Sequence, residues 1–105
     1  MGKEVLEKQT EATKNVAAVL IAAAFEDLMR RMGKSLAGVV GRPELQEVIV
    51  ALKNADVLKG GQVGIAQSYL KFRNDSLHAD WNKVDRSLVQ SCIGFIEELL
   101  VKHFS

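Results

Sequence analysis

Tyr69-Leu70-Lys71-Phe72-Arg73-Asn74-Asp75-Ser76-Leu77-His78-Ala79-Asp80-Trp81 has the spacing of a helix. Together with Ile65 and Ala66, the residues Tyr69, Leu70, Phe72 and Leu77 fill one broad apolar arc at about 100° per residue. Arg73 falls near the middle of that arc, where a charge is costly unless something pairs with it. Asn74 and His78, four residues apart, share a neighbouring polar edge. A guanidinium, a carboxamide and an imidazole thus come together at the C-terminal end of one helix, with the Trp81 indole just beyond. A purely structural helix has no need of this set.

The helical period continues on both sides of the segment. This helix is predicted from about Gln62 to Ala79. Asp80 to Val84 then reads as a short loop, with Asp85 a good N-cap for a last helix. That last helix places Leu88, Val89, Cys92, Ile93, Phe95, Ile96, Leu99 and Leu100 on one face and turns Glu97, Glu98 and Lys102 outward. Upstream, Ala55 to Gly61 forms a turn. Before it, Leu45, Val48, Ile49 and Leu52 make a clean stripe at i, i+3, i+4 and i+7, with Pro43 suited to the first turn of their helix. The glycines of the Gly33–Arg42 segment (Gly33, Gly38, Gly41) predict a break. Residues 3–32 read as one long helix, with residues 1–15 a charged helical lead-in, either frayed or extended. From Val16 onward it is apolar almost all round: Ile21, Phe25, Leu28, Met29 and Met32 on one side, Val16, Val19 and Leu20 on the other. A helix buried on two sides lies at the centre of a bundle or is shared with a second copy. Four helices in one small chain leave little to wrap it, which points to a homodimer. The expected architecture is all-α: a four-helix up-and-down bundle with short links, one domain over residues 1–105.

Composition agrees. The chain has 105 residues, enough for one core and not for two. It is 48% hydrophobic but only 6% aromatic, so the core is mainly aliphatic. A formal charge of +1 gives no global footprint for nucleic acid. Around the motif, Lys71, Arg73, Lys83 and Arg86 are nearly balanced by Asp75, Asp80 and Asp85. Cys92, the single cysteine, excludes an internal disulfide and sits on the apolar side of its helix, as a buried inert thiol would. The apolar run Val16 to Phe25 is too short to span a bilayer. Lys3, Glu4, Glu7, Lys8 and Glu11 do not read as a signal peptide, so a cytoplasmic protein is expected. Leu6 stands where a myristoylation signal wants Ser or Thr. Gly33-Lys34-Ser35 is not a P-loop: Leu28 occupies the first glycine's position, and a helix precedes it rather than a strand. The two His and one Cys lie far apart, and the aspartates alternate with Lys and Arg, so neither a metal site nor a cofactor is expected.

The pattern Arg-Asn-x-x-x-His, late in a small helical chain, resembles the HEPN superfamily (higher eukaryotes and prokaryotes nucleotide-binding domains). In that family an Arg, a polar residue directly after it and a His four to six positions on form the defining motif, which Arg73, Asn74 and His78 match. Ala22-Ala23-Ala24-Phe25-Glu26-Asp27-Leu28-Met29-Arg30-Arg31 looks like the family's first core helix, with Glu26 at its usual acidic position. The resemblance covers residues 16 to 104. It implies metal-independent RNA cleavage, in which the ribose 2′-hydroxyl attacks the adjacent phosphate to give a 2′,3′-cyclic phosphate and a free 5′-hydroxyl. His78 would move the proton, Arg73 would stabilise the developing charge, and Asn74 would orient one of them. On one straight helix Arg73 and His78 point about 140° apart. A compact site is therefore more readily built from two motifs meeting across a two-fold axis, similar to the composite dimer site of HEPN nucleases.

Each residue also has a plainer reading. Arg73 would equally serve as a buried structural ion pair with Glu26, and both roles are compatible. His78 would donate to a backbone carbonyl at the helix end. Tyr69 and Trp81 would stack on a base or cover hydrophobic surface. His103 reads as a packing or capping residue. Two functions follow: a toxin- or host-defence-type endoribonuclease governed by an antitoxin, or a non-catalytic nucleotide- or protein-binding and dimerisation module acting with a nucleotidyltransferase, an ATPase or a restriction component.

Overall fold

The computed structural model describes residues 2–79, 83–84 and 86–104, with side chains from residue 13 onward. Four helices follow one another: α1 (Gly2–Leu36), α2 (Leu45–Asn54), α3 (Gly61–Leu77) and α4 (Arg86–Phe104). No strand occurs among the described residues, and the protein is an all-α four-helix bundle. Its long dimension, 54 Å against 26 and 20 Å across, is the length of α1, since 35 residues rise about 1.5 Å each.

Helix α1 forms because Ala17, Ala18, Ala22, Ala23 and Ala24 are the strongest helix formers and no proline interrupts them. Its completely buried side chains, Ala18, Ala22, Phe25, Met29 and Met32, recur at alternating intervals of four and three, with Leu28 buried beside them, the spacing that keeps one seam against its neighbours. The glycine segment was expected to break the helix at Gly33, but α1 continues to Leu36. Gly33 is buried because Val48 of α2 lies against it; a Cβ there would stand 2.8 Å from Val48 Cγ1. The chain turns instead at Gly38, whose φ of +66° is the left-handed geometry glycine tolerates best. The Val39 N–H then donates back to the Gly33 carbonyl at 2.9 Å.

Helix α2 begins at Leu45 with Glu44 as its N-cap residue, so Pro43 lies just outside the helix rather than in its first turn. Leu45, Val48, Ile49 and Leu52 are buried, as their spacing requires. Helix α3 packs against α1: Tyr69 meets Phe25 edge-on at 6.1 Å, and Arg73 meets Glu26. Its buried residues are Ala66, Tyr69, Phe72 and Ser76. Ile65 and Leu77, expected in the apolar arc, are 43% and 53% exposed, because the helix is rotated to bury Ser76 instead of its neighbour. Helix α4 buries Val89, Cys92, Phe95, Ile96 and Leu99; Leu100, expected beside them, is 43% exposed. Val84, buried just before α4, accepts a hydrogen bond from Lys14 Nζ at 2.9 Å and ties the start of α4 to α1. The expected N-cap Asp85 lies outside the described residues, as do Asp80 and Trp81.

Among the described residues no helix is long and apolar enough to cross a membrane. The apolar side chains on the far side of α1 are uncovered in the single chain: Val16 is 60% and Leu20 64% exposed.

Candidate functional site

Arg73 projects from α3 toward α1 with about a quarter of its side chain exposed, and Glu26 is buried to the same degree. The arginine donates through Nε and Nη2 to one carboxylate oxygen, Glu26 Oε1, at 2.9 and 2.5 Å. Its Nη1 donates to Asn74 Oδ1 at 2.8 Å. The second oxygen of Glu26 accepts from Arg30 Nε at 3.1 Å, and Arg30 Nη1 donates to the Pro43 carbonyl at 2.9 Å. A continuous polar run therefore crosses from α3 over α1 to the α1–α2 link. The charge placed mid-arc by the sequence is compensated as physical chemistry demands, by the predicted partner.

Glu26 is the electrostatic centre of this run. The Arg73 guanidinium holds its carboxyl below the usual value of 4.5, with Arg30 adding to the effect and partial burial opposing it. A carboxylate shared by two guanidinium groups also keeps both cations in fixed orientation. Arg73 keeps donors in hand. Of five N–H bonds on an arginine, three are spent here, leaving one on each terminal nitrogen. Asn74 accepts one of the three through its side-chain oxygen.

An open cleft of about 310 Å³ lies beside Arg73 and Asn74, walled by Arg30, Leu70 and the start of α2 at Leu45. A second of about 290 Å³ runs along α1 past Ala22, Ala23 and Glu26 to Leu77. His78 lines neither. It is the exposed C-cap of α3, its backbone N–H bonded to the Asn74 carbonyl at 3.0 Å, and Ala79 follows at a left-handed φ of +56°. Within one chain, then, Arg73, Asn74 and Glu26 are brought together, and His78 stands apart on the exposed rim.

Tyr69 takes no part in this arrangement. Its ring is 8% exposed and wedged between Phe25 and Phe95, with centroids 6.1 and 5.3 Å away. Stacking on a base is closed to it, because both neighbours are core rings. Trp81 lies outside the described residues. Arg30 is the residue that sequence reasoning passed over, although its i, i+4 spacing from Glu26 was a usable signal. Among the described residues, no three His, Cys, Asp or Glu side chains are grouped to hold a metal ion.

No family model matches the chain, and comparisons with curated proteins and with solved structures find no match either.

Proposed function

We propose that the protein is a metal-independent endoribonuclease of the HEPN type, acting as a homodimer whose site is completed across two copies. The supporting observation is the Arg73 guanidinium. It is held half-buried by Glu26 and Asn74 at the edge of an open cleft, with two N–H donors still free. A fixed cation of this kind costs little reorganisation when charge develops on a phosphate. In the reaction the ribose 2′-oxygen bonds to phosphorus while the bond from phosphorus to the 5′-oxygen breaks. The proton leaves the 2′-hydroxyl to one imidazole, and the departing 5′-oxygen takes a proton from an imidazole of the pair. The products are a 2′,3′-cyclic phosphate and a 5′-hydroxyl.

Dimerisation supplies what one chain lacks. Val16 and Leu20 are exposed on α1, and Leu77 is exposed beside His78 and along the cleft that contains Glu26. A second copy seated on this strip brings its own His78 toward the first copy's Arg73. The arrangement fits a toxin or host-defence nuclease that a partner protein restrains.

The test is RNA incubated with protein in EDTA, alongside His78→Ala and Leu20→Lys. Both positions are exposed, so circular dichroism should be unchanged. Cleavage with cyclic-phosphate ends, lost in His78→Ala, and lost in Leu20→Lys together with the dimer, supports the proposal. Monomeric protein without cleavage overturns it. The second reading, a non-catalytic nucleotide- or protein-binding module, is favoured by the exposed, separated position of His78 in the single chain; it predicts ligand-induced thermal protection without turnover.

A further inference from the structure

The charge balance of +1 conceals a segregation that folding creates. A third cleft, of about 260 Å³, lies between the last turns of α1 and the α1–α2 link, and it collects Arg30, Arg31, Lys34 and Arg42 against Asp27. Asp27 is engaged by Arg31 at 2.9 Å, and Arg30 by Glu26. Lys34 and Arg42 are left with no acidic partner among the described residues. Two like charges on one concave surface repel unless an anion lies between them. Gly41, at φ +76° with nothing near its Cβ position, keeps the loop backbone open to close approach.

This cleft is not isolated. Arg30 lines it and also both clefts described above, and Arg42 and Asp27 are common to it and the cleft along α1. The three form one track from Lys34, past Arg42 and Arg30, to Arg73 and Asn74. Among the described residues, Glu44, on the Arg73 side of Pro43, is the one further acid on its walls.

We infer that Lys34 and Arg42 form a phosphate-binding subsite, with Arg30 as its link to Arg73, and that it takes a neighbouring phosphate of the strand whose scissile phosphate lies at Arg73. The inference rests on the nuclease reading for the identity of the strand; the anion site itself rests on the two unpartnered cations. Single-stranded RNA is the ligand because successive phosphates are the repeating anions a track of spaced cations can follow.

The experiment titrates the full-length protein with inorganic phosphate and with a 2′-O-methyl oligonucleotide, which binds but is not cleaved. Wild type, the double variant Lys34→Gln/Arg42→Gln and His78→Ala are compared by anisotropy and by amide chemical shifts. Both glutamine positions are exposed, and a thermal melt verifies folding. The expected result is an affinity for the oligonucleotide reduced about tenfold or more in the double variant. The slope of log affinity against log salt should become shallower by about 1.4, that is, two contacts at about 0.7 each. His78→Ala should bind as wild type, and phosphate should shift the amides of Lys34, Gly41 and Arg42. An unchanged affinity and salt slope in the double variant overturns the inference, even where His78-dependent cleavage is intact. Absent cleavage with the predicted binding loss refutes only the nuclease reading. Phosphate binding with the oligonucleotide refused overturns the strand and leaves a site for a free phosphate group.

Discussion

Replacing Glu26 with glutamine removes the one negative charge that two guanidinium groups share. The magnitude follows from the geometry. Exposed ion pairs contribute about 0–1 kcal/mol, whereas removing one partner of a fully buried pair costs about 3–5 kcal/mol. Glu26 and Arg73 each keep 23% of side-chain exposure, so the pair lies between these limits. Glutamine retains one oxygen to accept from Arg73 but leaves Arg73 and Arg30 facing each other without a counterion. A loss of about 2 kcal/mol is expected, which for a domain of this size lowers Tm by roughly 8–15 °C. Arg73→Met should cost less, about 1–1.5 kcal/mol, because Glu26 then still has Arg30. Urea unfolding of both single variants and the double, at one protomer concentration, should give a coupling energy of about 1–2 kcal/mol. Coupling below about 0.3 kcal/mol would show that the polar run does not hold α3 to α1. An Arg73→Met variant less stable than Glu26→Gln would show instead that the uncompensated pair of guanidinium groups is not the larger cost.

Three further outcomes follow from the same geometry. Because Glu26 is held below its usual value of 4.5, the pair contributes fully above about pH 4.5, and its contribution is lost as pH falls through the folded-state value. The stability gap between wild type and Glu26→Gln should therefore close on acidification, and a gap that stays constant refutes the assignment. Gly33→Ala should destabilise the protein by about 1–2 kcal/mol despite alanine's higher helix propensity, since the new methyl meets Val48 Cγ1 at 2.8 Å; a raised Tm would mean that α1 and α2 are not so closely packed. Burial pushes the Cys92 thiol up to about 12, so at pH 8 the native protein should resist a thiol reagent that labels it completely in denaturant. Rapid native labelling would show that α4 opens readily.

Much of this was legible in the residues, and the failures have physical causes. Arg73 within an apolar arc demanded a counterion, and an acidic residue on another helix supplied it. Leu45, Val48, Ile49 and Leu52 announced a buried stripe because a short helix with one apolar face has one way to bury it. Gly33 defeats a local reading, because propensity marks glycine as a breaker and is blind to a valine approaching from another helix. Ile65 and Leu77 depart from the pattern because a broad apolar arc does not fix the rotation of a helix. A modest turn exchanges Leu77 for Ser76 at the buried position, and only the packing of α1 and α4 decides between them. Tyr69 is the same lesson for function: an aromatic near a polar motif has the chemistry to stack on a base, yet Phe25 and Phe95 enclose it. The basic cleft at Lys34 and Arg42 was hidden for another reason. Its charges come from two segments that a reversal of the chain lays side by side, and no running count along the sequence registers that.

The dominance of α1 has a consequence for assembly. Helices α2, α3 and α4 each pack against it, while α2 and α4 scarcely meet. Without that common post the remaining three have no continuous interior to form around. A chain severed between Gly38 and Arg42 should therefore yield two pieces that are each poorly ordered alone and regain helical structure when mixed. The N-terminal piece would then template its own complement.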